Sequence, residues 1–154
     1  MTLPTPKKSK VLNILLAEDD LADSVLVFEA FKNFKTPVEL IRVKDGEEAL
    51  AYLKKESRYA GVLTPDLVLL DLNMPKKGGL EVLEELKNDQ RLREIPVLIL
   101  TSSKSDLDIR KAYAAHANFY ITKPSDFPAF CEAMKFVEDI WLPTLSRPEP
   151  SEKS

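Results

Sequence analysis

Residues 65–75 read PDLVLLDLNMP. Leu67 to Leu70 form a continuous apolar run bounded by proline and acid, which reads as a strand buried on both faces and not as a half-exposed, alternating one. Asp71 follows at once. Its carboxylate is therefore placed at the carboxyl end of a central parallel strand, the edge of an open α/β sheet where ligands and chemistry collect. Asn73 to Gly79 contains a proline and two glycines and reads as a loop, so Asp71 is expected to face a crevice.

A second run, Val11 to Ala17 (VLNILLA), has the same buried-strand character and ends in three consecutive acids, Glu18, Asp19 and Asp20. If the two strands lie side by side, several carboxylates meet at their carboxyl ends. Such a cluster is unfavourable without a cation, and an all-oxygen donor set suits a hard divalent ion, most simply Mg2+. The competing reading is that the acids only cap the helix that follows. A second strand ending in Asp71 favours the metal.

The rest of the chain repeats this alternation. Leu21 to Phe34 has apolar residues at helical spacing (Leu21, Val25, Phe28, Phe31, flanked by Leu26 and Ala30), and Val38 to Val43 is a second strand. Asp45 is placed as the N-cap of a helix carrying Ala49, Leu50, Tyr52 and Leu53, with Glu48 in capping-box position. Leu80 to Leu86 opens a third helix, and PVLILT (96–101) is a fourth strand. Ser105 or Asp106 caps a weakly striped fourth helix, and Asn118 to Thr122 is a fifth strand. The last and longest helix spans Asp126 to Leu142. Residues 1–10 read as a disordered lead and 143–154 as a mobile tail, leaving one domain over 11–142. Strand and helix alternate five times, which predicts a doubly wound, five-stranded parallel sheet in the order 2-1-3-4-5. That order makes strands one and three neighbours, and it points Thr101 and Lys123 into the crevice that holds Asp71.

A carboxylate, a divalent cation, a hydroxyl and an ammonium at four strand ends are parts suited to accepting a phosphoryl group. Asp71 would attack, Mg2+ and Lys123 would neutralise the oxygens, and Thr101 would donate a hydrogen bond.

These residues resemble the receiver domains of two-component response regulators, over roughly residues 11 to 142. The resemblance is carried by Glu18-Asp19 after strand one, DLNMP around Asp71, Thr101 after strand four, Tyr120 in strand five and Lys123-Pro124. It implies a flavodoxin-like fold in which Asp71 is the phosphoacceptor. Asp19 would bind Mg2+ directly, Glu18 partly through water, and Asn73 through its backbone carbonyl. Thr101 and Tyr120 would be a switch pair. Lys123 would pair with Asp71 at rest and precede a cis peptide to Pro124, and its removal would leave the fold and Mg2+ binding largely intact. The partner would be a sensor histidine kinase, and the long final helix ending in VEDIWLP is similar to that of single-domain regulators associated with phytochrome-type kinases. A phosphate sink, or a degenerate receiver acting only as a kinase-binding module, would carry the same fold.

Two other classes fit less well. A haloacid-dehalogenase-like phosphatase places a second acid two residues after its nucleophile, where this chain has Asn73. A flavodoxin-like electron carrier needs a hydroxyl- and glycine-rich phosphate loop after strand one, where Glu18 to Asp20 would repel a phosphate.

Composition excludes more. The chain has 154 residues and a net charge of −3, with no basic footprint for nucleic acid. A single cysteine, Cys131, rules out an internal disulfide framework. No apolar run approaches the ~18 residues of a membrane span, and the N-terminus lacks a signal-peptide core, so a soluble cytoplasmic protein is expected. His116 has no visible catalytic partner, and Cys131 reads as packing. On the last helix, Phe127, Phe130, Cys131, Met134, Val137 and Trp141 share one face. Ala129, Ala133, Phe136 and Ile140 make a second apolar stripe that a single sheet face does not require. Phe136, Ile140 and Trp141 are therefore candidate interface residues for a homodimer through this helix and its neighbouring strand.

Overall fold

The computed structural model describes residues 11–145. Five strands, β1 (Leu12–Ala17), β2 (Val38–Val43), β3 (Leu67–Leu70), β4 (Val97–Thr101) and β5 (Phe119–Thr122), form one parallel sheet in the order β2-β1-β3-β4-β5. The order read from the sequence is therefore the observed one. Helices α1 (Leu21–Phe31), α2 (Gly46–Leu53), α3 (Gly79–Lys87), α4 (Asp106–Ala114), α5 (Phe127–Phe136) and the short α6 (Leu142–Leu145) are the α-helices of the described residues.

Alternate residues of the central strands supply two separate cores. Leu67 and Leu69 join Ile14, Leu16, Leu98 and Leu100 beneath Val27, Ala30 and Phe31 of α1, Phe130 and Met134 of α5, and Val137 just after it. Val68 and Leu70 join Leu15, Val97 and Ile99 beneath α2 and α3. This two-sided burial is why β3 carries no polar residue.

The caps follow the sequence closely. Asp20, Asp45, Ser105 and Asp126 each accept the N3 backbone N–H of their helix, at 2.9, 2.8, 3.2 and 2.8 Å. Glu48 does not close a capping box on Asp45. It accepts from the Lys44 N–H one residue earlier, and its other oxygen is held by Arg58 and Tyr59.

Three further expectations are corrected. In α1 the inward face is Ser24, Val27, Ala30 and Phe31, while Leu21, Val25 and Phe28 are exposed. The helix is apolar on most sides, and packing selects the face on which Ser24 satisfies its hydroxyl by donating to the Asp20 carbonyl at 2.9 Å. The last helix is not one regular element: α5 gives way to a π-turn at Val137–Trp141, and α6 continues to Leu145, so the helical region reaches past the domain end placed at 142. The π-turn carries the buried Glu138, whose carboxylate accepts the Lys35 and Thr36 N–H groups at 2.7 and 2.8 Å and so ties this end to the α1–β2 loop. Phe127 at the start of α5 is exposed and does not pack on the sheet. Residues 1–10, expected as a disordered lead, and the part of the expected tail beyond Leu145 lie outside the described residues.

Candidate functional site

The carboxyl ends of β1 and β3 are level, because Ala17 pairs with Leu70 and the Asp71 N–H donates to the Ala17 carbonyl at 3.1 Å. The next residues along, Glu18 and Asp71, are thus brought together by sheet register. Both are buried. One carboxylate oxygen from each of Glu18, Asp19 and the Asp71 side chain lies within 4.8 Å of the others, with Asp19 exposed at the rim. Three hard oxygen donors at this spacing fit a divalent cation.

Lys123 lies just past β5, where its N–H donates to the Thr101 carbonyl at 2.7 Å. Its side chain is buried and its ammonium touches three carboxylates: Glu18 at 2.7 Å, Asp23 at 2.8 Å and Asp71 at 3.3 Å. The expected pairing with Asp71 is present, but it is the longest of the three. The expected cis peptide at Lys123-Pro124 is not, since the described residues contain no cis bond; the trans form is the lower in energy by about 0.5–1 kcal/mol for an X–Pro bond.

One ammonium among this many carboxylates leaves the cluster negative. Burial drives the Glu18 carboxyl up to about 7; the hydrogen bond from Lys123 opposes this, and the Asp71 charge adds to it. Lys123 is also raised, because its bonds to Asp23 and Glu18 and the Asp71 charge outweigh its burial. Lys123 therefore stays charged, and Glu18 is the group that a further cation would relieve.

Thr101 is fully buried at the end of β4 and the Tyr120 ring is half-buried on β5. They meet at Ser103. Its N–H makes a long 3.5 Å contact to Thr101 Oγ1, and its carbonyl accepts from the Tyr120 hydroxyl at 2.9 Å. Asn73 is exposed beside Asp71, whose Oδ1 accepts the Asn73 N–H at 3.3 Å.

Sequence reasoning missed two residues. Asp23 is one, bonded to Lys123 across 100 residues of chain. Arg42 on β2 is the other: its Nε donates to the Glu18 carbonyl at 2.9 Å and its Nη2 to the Asp19 carbonyl at 3.0 Å, fixing the acidic loop from outside. An acid in the first turn of α1 was a weak signal for Asp23. Nothing local marks Arg42.

A cavity of about 570 Å³ lies at the opposite edge, by the starts of β4 and β5, lined by Lys87, Arg93, His116 and Asn118 among others. Its central ammonium, Lys87, is already held by the Arg93 and Ile95 carbonyls and by Asn118 Oδ1. The chemistry therefore belongs to the Asp71 edge. His116 is exposed and lines that remote cavity, and Cys131 is half-buried on α5.

The register of β1 and β3 thus brings the Glu18 and Asp71 carboxylates together, beside the Lys123 ammonium, at one edge of a doubly wound parallel sheet. The chain belongs to the response regulator receiver domain family, whose model matches residues 14–135. It is 42% identical over 135 residues to the response regulator Rcp1 of Synechocystis sp., covering 88% of this chain and 92% of that protein. The crystal structure of the phosphorylated cyanobacterial phytochrome response regulator RcpA is similar at 45% identity and a TM-score of 0.84, over 88% of this chain and 96% of that one. The Mn2+-bound form of Rcp1 is similar at 40% identity and a TM-score of 0.83, over 90% and 99%. Receiver domains of this family bind a divalent metal and partner with histidine kinases.

Proposed function

We propose that this protein, through the receiver domain placed at residues 11–142, accepts a phosphoryl group from the phosphohistidine of a sensor kinase onto Asp71, with Mg2+ as the cation. The observation that carries the reading is the buried Asp71 carboxylate within reach of both the Glu18–Asp19 oxygens and the Lys123 ammonium. Asp19, Glu18, Asp71 and the Asn73 carbonyl would hold Mg2+, which when bound offsets the charge of the incoming phosphoryl oxygens. An Asp71 oxygen attacks phosphorus as the bond to the histidine nitrogen breaks, and Lys123 and the Thr101 hydroxyl hold the transferred oxygens. The protein is then a self-assisting acceptor and not a classical enzyme. Movement of Thr101 toward the phosphoryl group passes to Tyr120 through Ser103, the residue both side chains touch.

The similarity to phytochrome regulators supports a phytochrome-type kinase as partner and a cytoplasmic location. No helix among the described residues is long and apolar enough to cross a membrane. The net negative charge argues against nucleic acid as a partner. The test of the reading is incubation with a small-molecule phosphodonor. Uptake of one phosphoryl group in Mg2+ and none in excess chelator is expected; uptake that ignores the chelator would sink it.

The same reading includes a homodimer through α5 and β5. Trp141 and Leu142 fold back onto the domain's own core, yet Phe136 and Ile140 stay 39% and 54% exposed. Phe136 stacks on Phe119 of β5 with centroids 5.4 Å apart, beside an apolar hollow of about 270 Å³ formed with Tyr120, Ile121 and Ala133. An apolar surface continuous across a helix and an edge strand suits a second copy related by a two-fold axis. Light scattering at tens of micromolar should give a dimer for the wild type and a monomer for Phe136→Glu with Ile140→Lys. A wild type that is monomeric with and without phosphodonor would contradict the dimer.

A further inference from the structure

We infer that Asp23 is a positioning residue that competes for Lys123 and so weakens the hold of the site on a phosphoryl group. The inference rests on Asp71 being the phosphoacceptor.

An ammonium has three N–H donors, and the Lys123 ammonium faces three carboxylates, Glu18, Asp23 and Asp71. Lys123 can turn to a phosphoryl oxygen only by loosening one of these bonds. Glu18 and Asp71 both belong to the group that can hold a cation, so a bound metal draws on their oxygens. Asp23 does not belong to it. Its grip on Lys123 therefore persists when the metal is in place. The residue is also fixed where it stands, because its own N–H is bonded to the capping Asp20 carboxylate at 2.9 Å in the first turn of α1. Asp23→Asn leaves an oxygen in the same place to accept from Lys123 and removes the charge that holds it.

The experiment is titration with beryllium fluoride, an analogue of the phosphoryl group, in saturating Mg2+, followed by fluorine NMR. Asp23→Asn should bind about tenfold more tightly than the wild type, as expected when a charged competitor about 3 Å from an ammonium is made neutral. Its Mg2+ affinity should stay within about twofold, because Asp23 is not among the ligand set. In a Lys123→Gln background the same substitution should change beryllium fluoride binding less than about twofold. A gain that persists there would show Asp23 repelling the anion directly and would overturn the positioning role, as would an Asp23→Asn variant that binds no better than wild type. Thermal melts in Mg2+ establish that each variant is folded. Asp71→Asn separates the two levels of the argument: if it binds beryllium fluoride as the wild type does, the acceptor assignment fails, whereas loss of binding there with an unchanged Asp23→Asn removes only the inference about Asp23.

Discussion

Lys123→Ala is expected to lose about 3–5 kcal/mol of stability in metal-free buffer at neutral pH, the usual cost of removing one partner from a buried ion pair. The sequence suggested that this change would spare the fold. The geometry argues otherwise, because Lys123 is the cation shared by Glu18, Asp23 and Asp71, and Glu18 is only 1% exposed. The sign of the pH dependence follows from Glu18. Its carboxyl is raised from 4.5 to about 7 even with Lys123 present. The folded state thus binds more protons than the unfolded one between those values, and stability falls as pH rises through that window. Without Lys123 the fall should be steeper and extend to higher pH. Mg2+ should reverse much of it, since a cation that binds only the folded state stabilises by mass action. Melts at pH 5 and pH 8, with and without Mg2+, test this. A variant that melts with the wild type at pH 8 without metal would show that the ammonium is not what balances the cluster. Once folded in Mg2+, the variant should still take up phosphate, but the Tyr120 environment should no longer respond.

Gly79→Ala should be as damaging, by a steric route. A Cβ at Gly79 would run into the Asp71 carbonyl oxygen and lie 2.7 Å from Leu72 Cα, backbone atoms that cannot swing away. Alanine in a helix otherwise gains about 1 kcal/mol over glycine. Here the clash outweighs that gain, and a net loss of about 3 kcal/mol or more is expected. The β3–α3 loop would have to shift, and Asp71 with it, so Mg2+ affinity should fall together with stability. Gly61→Ala is the matched control, with nothing within 4 Å of its Cβ, and should be nearly neutral. Equal denaturant midpoints for the two variants would contradict the close packing of the start of α3 on the end of β3.

The carboxyl edge of the sheet was legible in the chain because strands buried on both faces must be continuously apolar. An acid directly after such a run has only one place to go. That logic located Asp71, Glu18, Thr101 and Lys123 together. Helix faces were harder. In α1 the inward set includes Ser24, whose hydroxyl is satisfied within the helix, while the more apolar Leu21, Val25 and Phe28 remain outside. Counting apolar residues cannot choose between such faces. Asp23 and Arg42 were invisible for another reason, since their roles lie in contacts made across 100 and 24 residues that only the folded register creates. The break of the last helix into a π-turn likewise carries no local Gly or internal Pro signal between Val137 and Trp141, and Glu138 is the charged residue it buries.

The central claim is that Asp71 is the acceptor, and the most direct measurement is intact mass after incubation with phosphodonor and Mg2+, wild type beside Asp71→Asn. The wild type should gain the mass of one phosphoryl group and the variant none, while both remain folded. A gain of the same mass in the variant would contradict the account.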